Sequence, residues 1–278
     1  LGIMWIVKIV PGRVIFWFSE RLADIGYHLF VGFRKRSISN LRLALGSGLA
    51  EKQIRGMARR SLRNFFRAIA ELGHALSADP RELRKEIPLV GRELLEEALA
   101  KKKGVIILGA HLGNFFMVGM RLAIEGYPVH VLVKPPRNRA FGRLMDQIRT
   151  RTGLKTINSS PTREASHNLV EVLRRNEMVI VIADEFRSGN GISVTFFDRT
   201  VSASRGPATL ALRTGAAVVP AYVVRGREGA LAFNIEPEIQ IMRPGRINED
   251  VAENTERFTS WLERVVRSYP DQWNWMNF

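Results

Sequence analysis

An apolar run between two glycines, followed by a histidine, sets the strongest constraint on how this chain folds. Val105–Leu108 is continuously apolar, with Gly104 before it and Gly109 after it. So short a run predicts a strand that is covered on both faces, as in a parallel sheet. His111 then follows the carboxyl end of that strand, which is where ligands bind in open α/β sheets. We therefore interpret His111 as a functional residue rather than as a histidine packed beside a loop.

Gly113 and Asn114 come next and are residues that often begin a helix. A helix beginning here would leave backbone N–H groups without partners beside His111. The positive end of a helix disfavours a protonated imidazole. The pattern predicts a neutral His111 ring that accepts a proton, and it makes the Gly113 and Asn114 N–H groups candidate donors to an oxyanion.

Strand and helix patterns alternate from Gly104 onward. Strands are predicted at 104–109, 128–133, 154–157, 178–183, 192–196, 217–224 and 231–235, and helices at 38–46, 50–77, 93–103, 113–125, 138–152, 162–175, 203–213 and 250–268. Strands separated by helices form parallel or mixed sheets with right-handed crossovers. The sequence predicts an α/β fold, a single domain with a mixed, mostly parallel sheet flanked by helices. The aromatic end, residues 269–278, is expected to fill a groove.

A second strand end carries two carboxylates. Asp184 and Glu185 follow the apolar run 178–183 directly. Carboxylates at a strand end beside a histidine indicate an acid/base site, because a carboxylate bonded to one imidazole nitrogen lets the other nitrogen deprotonate a hydroxyl. Asp184, Glu185 and His111 are therefore the predicted catalytic residues.

Composition narrows the possible functions. The 278 residues include no cysteine, which excludes disulfides, thiolate metal sites and a cysteine nucleophile. The histidines are far apart, so we expect no metal and no cofactor. Lys and Arg number 42 against 27 Asp and Glu, a net charge of +15 that favours polyanionic partners. The basic residues are dispersed and no RNA-binding or zinc-finger signature occurs, so we expect an anionic membrane surface rather than nucleic acid.

The N-terminal residues combine large apolar and basic side chains. Residues 1–33 are rich in apolar groups, but no uninterrupted run reaches the ~20 residues of a membrane span, and Arg34-Lys35-Arg36 follows. One interpretation is a helix packed on the domain's own core. We favour helices lying in the membrane interface with the basic cluster facing anionic head groups. The chain is accordingly divided into residues 1–36, membrane-interface helices, and residues 37–278, one enzymatic domain.

Further motifs follow along the chain, and their order resembles that of a known protein family. Gly206-Pro207 begins a helix, where Arg205 and the backbone donors are suited to a phosphate. From Arg36 to Trp275 the chain resembles the bacterial lipid A biosynthesis acyltransferases, which include the phosphatidylinositol mannoside acyltransferases and belong to the glycerolipid acyltransferase superfamily. The resemblance rests on His111-Leu-Gly-Asn114, the Arg149/Arg151-Gly153 segment, Asp184-Glu185, Phe196-Phe197-Asp198, residues 204–208 and residues 215–220.

The resemblance implies transfer of a fatty acyl group from a thioester, acyl carrier protein or coenzyme A, to a hydroxyl or amine of a glycolipid or phospholipid. It implies a place on the cytoplasmic face of the bacterial inner membrane, either peripheral or anchored through the N-terminal part. With no cysteine and no serine-elbow signature, we expect direct transfer. Arg149, Arg151, Arg187 and Arg205 are expected to bind substrate phosphates, and Phe115, Phe116, Met117 and Met120 to line an acyl pocket.

Phe116 is a departure from the family's pattern. In the family, four residues separate the histidine from a Glu or Asp, and this chain has Phe116 at that position. In one interpretation Glu185 or Asp184 supplies the carboxylate instead. In the other the protein is a catalytically impaired relative that binds lipid. A thioester hydrolase, with His111 activating water, and a nucleic-acid-binding protein are further alternatives.

Overall fold

A seven-stranded sheet with helices on both faces forms the centre of the protein. The computed structural model describes residues 12–46, 48–75, 78–134, 138–186, 189, 191–226 and 228–278. The strands are β1 (Leu89–Val90), β2 (Val105–Gly109), β3 (Val129–Val133), β4 (Lys155–Asn158), β5 (Met178–Ile182), β6 (Ile192–Phe196), β7 (Arg199–Ala203), β8 (Ala217–Arg225) and β9 (Leu231–Ile235). The helices are α1 (Gly12–Leu29), α2 (Val31–Leu45), α3 (Glu51–Ala75), α4 (Pro80–Glu86), α5 (Arg92–Ala100), α6 (Phe116–Ile124), α7 (Arg139–Thr152), α8 (Thr162–Arg174), α9 (Gly206–Thr214) and α10 (Ile247–Ser268), with a 3₁₀ turn at Trp275–Asn277.

The strand order is β1-β9-β8-β2-β5-β3-β4, and every neighbouring pair is parallel except β8 with β9. This confirms the predicted α/β fold with a mostly parallel sheet flanked by helices. β6 and β7 form a separate antiparallel hairpin. The prediction at 203–213 was wrong in its first residues, because Arg199–Ala203 pairs with β6 and the helix begins only at Gly206. Pro207 stands in that helix's first turn, where its missing N–H leaves no donor unsatisfied.

The register between β2 and β5 brings the two predicted catalytic segments together. The strands run parallel and pair from Val105 with Met178 to Gly109 with Ile182. His111 and Asp184 each lie two residues beyond the last pair. Since parallel strands in register end at the same level, both residues leave the sheet at the same edge.

The core lies on both faces of the sheet. Ile106 and Leu108 of β2 belong to one buried cluster, and Val105 and Ile107 to the other. All residues of β2 are buried, which is why the strand reads as an uninterrupted apolar run. Burial of each large aliphatic side chain there contributes roughly 1.5–3 kcal/mol, so the strand's position is firmly fixed.

Helices α1 to α3 form a layer beside the sheet. The inner face of α1 is attached to α3 by Asp24, which accepts hydrogen bonds from Arg63 at 2.6 Å and Arg59 at 2.8 Å. The Arg63 hydrogen bond holds the pKa of the Asp24 carboxyl well below its usual range, despite burial. The division predicted between residues 36 and 37 falls inside α2.

The outer face of α1 is apolar and open to solvent. Phe18, Leu22, Ile25 and Leu29 are spaced along one side of the helix, and Leu29 is 70% exposed. Within the described part of the chain, no helix has the length and apolarity that crossing a membrane requires.

The C-terminal residues are fixed between the helical layer and the sheet. Trp273 and Trp275 are fully buried, as the sequence predicts for an aromatic end in a groove. Ser61 of α3 donates to the Trp273 carbonyl at 2.6 Å, and Asn40 of α2 donates to the Trp275 carbonyl at 2.7 Å. The groove therefore has walls from two of the N-terminal helices.

Candidate active site

A histidine and an aspartate at the carboxyl edge of the sheet form the centre of the site. The Nδ1 of His111 lies 2.8 Å from Oδ1 of Asp184. A carboxylate accepts only, so Nδ1 carries the proton in this contact. In the neutral ring the proton-accepting nitrogen is then Nε2. Glu185, the other predicted carboxylate, is exposed and acts on the ring through its charge.

Asp184 is held by three donors. Besides the His111 ring, its Oδ2 accepts the backbone N–H of His111 at 2.9 Å and the indole N–H of Trp273 at 2.7 Å. The residue is 0% exposed. Burial raises the pKa of the Asp184 carboxyl, but the charge of His111 and these hydrogen bonds outweigh it and hold the pKa below the usual value.

The pKa of His111 is raised, which corrects the predicted effect of a helix N-terminus. Burial lowers the pKa of the ring, while the charge of Asp184, its hydrogen bond and the charge of Glu185 raise it by more. The helix begins only at Phe116, so the residues directly after His111 form a turn rather than the first turn of a helix. The carboxylate on Nδ1 therefore decides the protonation of the ring.

The backbone donors predicted for an oxyanion are engaged elsewhere. The N–H of Gly113 donates to the Gln272 carbonyl at 2.8 Å, and that of Asn114 to the Val223 carbonyl at 2.8 Å. Gly113 has φ of 56°, and a Cβ there would lie 2.0 Å from the Val223 carbonyl oxygen, so only glycine fits this turn. Both N–H groups thus hold the turn against β8 and the C-terminal segment, and we do not assign them to an oxyanion.

Asn114 instead connects the turn to an ion pair between buried Glu71 and partly buried Arg225. Its side-chain amide donates to Glu71 of α3 at 2.9 Å. Glu71 also accepts two hydrogen bonds from Arg225 of β8, at 2.6 and 2.8 Å. This bidentate pair and the Asn114 hydrogen bond to Glu71 fix the turn that follows His111 relative to α3 and β8.

An aromatic cleft of about 400 Å³ opens beside the histidine. Its lining includes His111 and Trp273, and the apolar part of the wall is formed by Phe30, Phe33, Leu62, Phe65, Phe66, Phe115 and Met276. The Phe115 ring meets the His111 ring edge-on at 4.9 Å between centroids. The volume lies in the range of small-molecule and cofactor sites. The site therefore combines an acid-supported base with an apolar cleft.

Comparison with known proteins identifies the family of the chain. Residues 1–277 match the family described as bacterial lipid A biosynthesis acyltransferases. The chain belongs to this family. It is 27% identical over 219 residues to the phosphatidylinositol mannoside acyltransferase of Mycobacterium tuberculosis (strain CDC 1551 / Oshkosh), covering 77% of this chain and 67% of that protein. It is 23% identical to the lipid A biosynthesis palmitoleoyltransferase and 21% identical to the lauroyltransferase of Escherichia coli K12, each over 100% of this chain and 88% of the relative. The protein is an acyltransferase.

The four residues predicted to line an acyl pocket lie in two different parts of this acyltransferase. Phe115 lines the cleft. Met117 and Met120 are buried in the cluster on the other face of the sheet, and Phe116 packs against that cluster. These three residues belong to the core because α6 turns them away from the His111 side. The cleft wall comes instead from aromatic residues of α2 and α3 and from Phe30 before α2.

The predicted phosphate-binding arginines are also separated. Arg149 and Arg151 stand in the last turn of α7, which leads directly into the start of β4. That edge is opposite to the one carrying His111, and β4 is three strands from β2, about 14 Å away. Arg149 pairs with Asp146 at 3.0 Å, and we no longer assign Arg149 or Arg151 to the site.

Arg205 and Arg187 are the other two arginines predicted to bind phosphate. Arg205 is exposed at the start of α9. That helix ends where β8 begins, so its first turn lies toward the edge of His111. Arg187 lies outside the described residues.

Two residues that contact the site were not predicted from the sequence. Trp273 donates to the acid and Glu71 supports the turn after His111, but both come from segments remote in the chain. For Trp273 a signal existed, since a buried indole N–H requires an acceptor. No local pattern marks Glu71, which reads as one polar residue on an amphipathic helix.

Proposed function

We propose that this acyltransferase transfers a fatty acyl group from a thioester donor, acyl carrier protein or coenzyme A, to a hydroxyl of a glycolipid or phospholipid. The observation that carries the proposal is the pair of His111 and Asp184 at the mouth of an aromatic cleft. The names of the relatives support a glycolipid acceptor. The net charge of +15 favours an acidic donor or acceptor.

The pair performs general base catalysis. Nε2 of His111 takes the proton of the acceptor hydroxyl while Nδ1–H stays bonded to Asp184. The acceptor oxygen attacks the thioester carbonyl, forming the new C–O bond. The C–S bond then breaks, and the leaving thiolate takes the proton from the imidazolium. The products are an ester and a free thiol, and the enzyme returns to its starting state.

The buried carboxylate is suited to this cycle. Asp184 stabilises the imidazolium that forms when the hydroxyl loses its proton, because its charge is unscreened by water. An amine acceptor would use the same steps. The apolar cleft provides a place for the acyl chain next to the base, since Phe115 contacts both the cleft and the His111 ring.

The protein associates with the membrane through α1 and the residues next to it. Phe30, which follows α1, and Phe65 of α3 are also exposed, at 52% and 38%, and both line the cleft. Lys35 and Arg36, both exposed, are close to this surface along α2. An interfacial helix with basic neighbours binds anionic lipid surfaces. Lipid substrates then reach His111 through a mouth that lies at the bilayer surface.

Acyl transfer is tested with labelled acyl-coenzyme A and labelled acyl carrier protein, each supplied with bacterial glycolipid or phospholipid. The wild-type protein is expected to form labelled lipid with one donor. His111→Ala is expected to slow transfer about 100- to 10,000-fold. His167→Ala, an exposed histidine on α8, is the matched control and should act as wild type.

Three results would contradict the proposal. Transfer by His111→Ala at the wild-type rate would remove the base. Free fatty acid released without an acceptor would indicate a hydrolase. Copurified lipid without turnover of either donor would indicate the lipid-binding relative that Phe116 suggests.

Membrane association is tested by sedimentation with vesicles of phosphatidylcholine alone or mixed with phosphatidylglycerol. The wild-type protein should bind the anionic vesicles more strongly, with the difference reduced by salt. Phe18→Glu should weaken binding. Ile247→Glu, on α10, is the control, since Phe18 and Ile247 are both 62% exposed. Equal loss in both variants would contradict an assignment to α1.

A further inference from the structure

The indole of Trp273 contacts the acid of the catalytic pair directly. Its N–H donates to Oδ2 of Asp184 at 2.7 Å, and both residues are fully buried. Oδ2 also accepts the backbone N–H of His111 at 2.9 Å, while Oδ1 faces the His111 ring at 2.8 Å. The two donors on Oδ2 fix the rotation of the carboxylate, so that Oδ1 points at Nδ1.

The donors also set the charge that the ring experiences. An N–H bonded to a carboxylate stabilises its ionised form and lowers its affinity for a proton. In a buried site this effect is strong, because water does not replace a lost donor. Loss of the indole N–H would therefore leave Asp184 a stronger base, and the shared proton affinity of the His111 and Asp184 pair would rise.

Trp273 is itself held by contacts on both sides in the chain. The side-chain amide of Gln272 and the backbone of Arg225 exchange two hydrogen bonds, at 2.9 and 2.8 Å. The N–H of Asn274 donates to the carbonyl of His111 at 3.2 Å, and Ser61 donates to the carbonyl of Trp273. The indole is thus presented to Asp184 by a rigid segment rather than by a mobile terminus.

We propose, on the basis of the proposed function, that Trp273 is a positioning residue that orients the Asp184 carboxylate and sets the pH at which His111 becomes the active base. This gives the C-terminal segment a role in the chemistry, although it lies 89 residues from Asp184 in the chain. The indole N–H acts through Asp184, because that carboxylate is its acceptor.

The test compares Trp273→Phe with Trp275→Phe. Trp275 is the matched control: it is also fully buried, its ring packs against that of Trp273, and its indole donates to the Pro270 carbonyl instead of the acid. The pKa of His111 is measured by NMR titration of its imidazole signals, which needs no turnover. In Trp273→Phe we expect the pKa to rise by about 0.5 to 1 unit relative to wild type, from the loss of one charge-assisted hydrogen bond.

The kinetic profile gives a second readout. The acid limb of kcat/KM should move to higher pH by the same amount in Trp273→Phe, with kcat lowered about 5- to 20-fold at neutral pH and KM changed less than about threefold. Trp275→Phe should keep the wild-type acid limb. An unchanged His111 pKa in Trp273→Phe, or an equal shift in Trp275→Phe, would overturn the proposal.

Wild-type protein provides a measurement that does not depend on how well the variants fold. The indole N–H resonance of Trp273 should shift with the titration of His111, and that of Trp275 should not. A Trp273 resonance that stays constant through this titration would overturn the proposal. Failure of the proposed function gives a different result, namely acyl transfer by His111→Ala at the wild-type rate.

Discussion

Replacement of Asp184 by Asn is the most informative change, because it preserves shape and removes one charge. The carboxylate accepts three N–H donors in the wild-type protein. An Asn side chain has one oxygen and one NH₂ group. If the oxygen keeps the two donors on the Oδ2 side, the NH₂ group faces Nδ1 of His111. Nδ1 must then accept a hydrogen bond, so the proton moves to Nε2, and the ring presents a donor where the reaction needs a base.

The size of the effect follows from this exchange of tautomers. A base held in the wrong tautomer, with no anion to stabilise its protonated form, loses about 1,000- to 10,000-fold in rate. That corresponds to about 4–5.5 kcal/mol of transition-state stabilisation. The pKa of His111 should fall below its ordinary value in Asp184→Asn, because burial lowers it and the opposing charge of Asp184 is lost.

The assay is kcat/KM for acyl transfer between about pH 5.5 and 9, with the His111 pKa measured in parallel. In the wild-type protein the acid limb should lie above about pH 6.5, because the pKa of His111 is raised and the base must be neutral. In Asp184→Asn the rate should fall at every pH. A variant that retains more than about a tenth of the wild-type rate would refute the role of the acid. Glu185→Gln is the control, and a small shift of the acid limb to lower pH is expected from its lost charge.

Three further predictions concern the stability of the protein and the role of Phe116, which stands where the family has Glu or Asp. Glu71→Gln should lower the free energy of unfolding in urea by about 3 kcal/mol, because it leaves the largely enclosed guanidinium of Arg225 without its carboxylate. Glu82→Gln, at an exposed position of α4, should leave the midpoint near wild type. Phe116→Glu should not raise kcat and should lower the unfolding midpoint, since the ring packs against the core. The raised pKa of His111 contributes stability below about pH 6.5 that is lost as pH rises, and the lowered pKa of Asp184 contributes stability above about pH 3.8 that is lost as pH falls. The unfolding free energy of wild type minus Asp184→Asn should therefore be largest between these values.

The sequence predicts the sheet and the proximity of His111 and Asp184 well because both depend on local runs. An apolar run bounded by glycines specifies β2, a similar run specifies β5, and each is followed within two residues by its functional side chain. The only further information needed is that β2 and β5 are parallel neighbours. The pairing of His111 with Asp184 then follows from the register.

Contacts between remote segments could not be predicted in this way. The N–H groups of Gly113 and Asn114 look available in the sequence, but their acceptors are carbonyl groups of Gln272 and Val223. A turn's donors are accounted for only when the segment packed against it is known. The same reason applies to Trp273, whose partner is fixed by the path of the C-terminal residues.

Helix direction explains the error at the predicted acyl pocket. The apolar residues after His111 indicate burial, but both the cleft and the core bury apolar side chains. Met117 and Met120 are three residues apart and share one face of α6, which packs on the side of the sheet away from the cleft. Composition alone does not separate these faces, and the part of the cleft wall that comes from the N-terminal helices had no local signal.

The position of Asp184 explains how His111 has a carboxylate partner although residue 116 is not acidic. Phe116 is the first residue of α6, and its side chain packs against the core cluster on the face of the sheet away from the cleft. Asp184 instead reaches His111 through paired strands whose register is held by a ladder of backbone hydrogen bonds and by buried side chains on both faces. A register shift of one residue would turn every side chain of β5 to the opposite face, which the core does not permit. The distance between His111 and Asp184 is therefore determined by two paired central strands of the sheet, and not by residue 116, where the family carries its acidic residue.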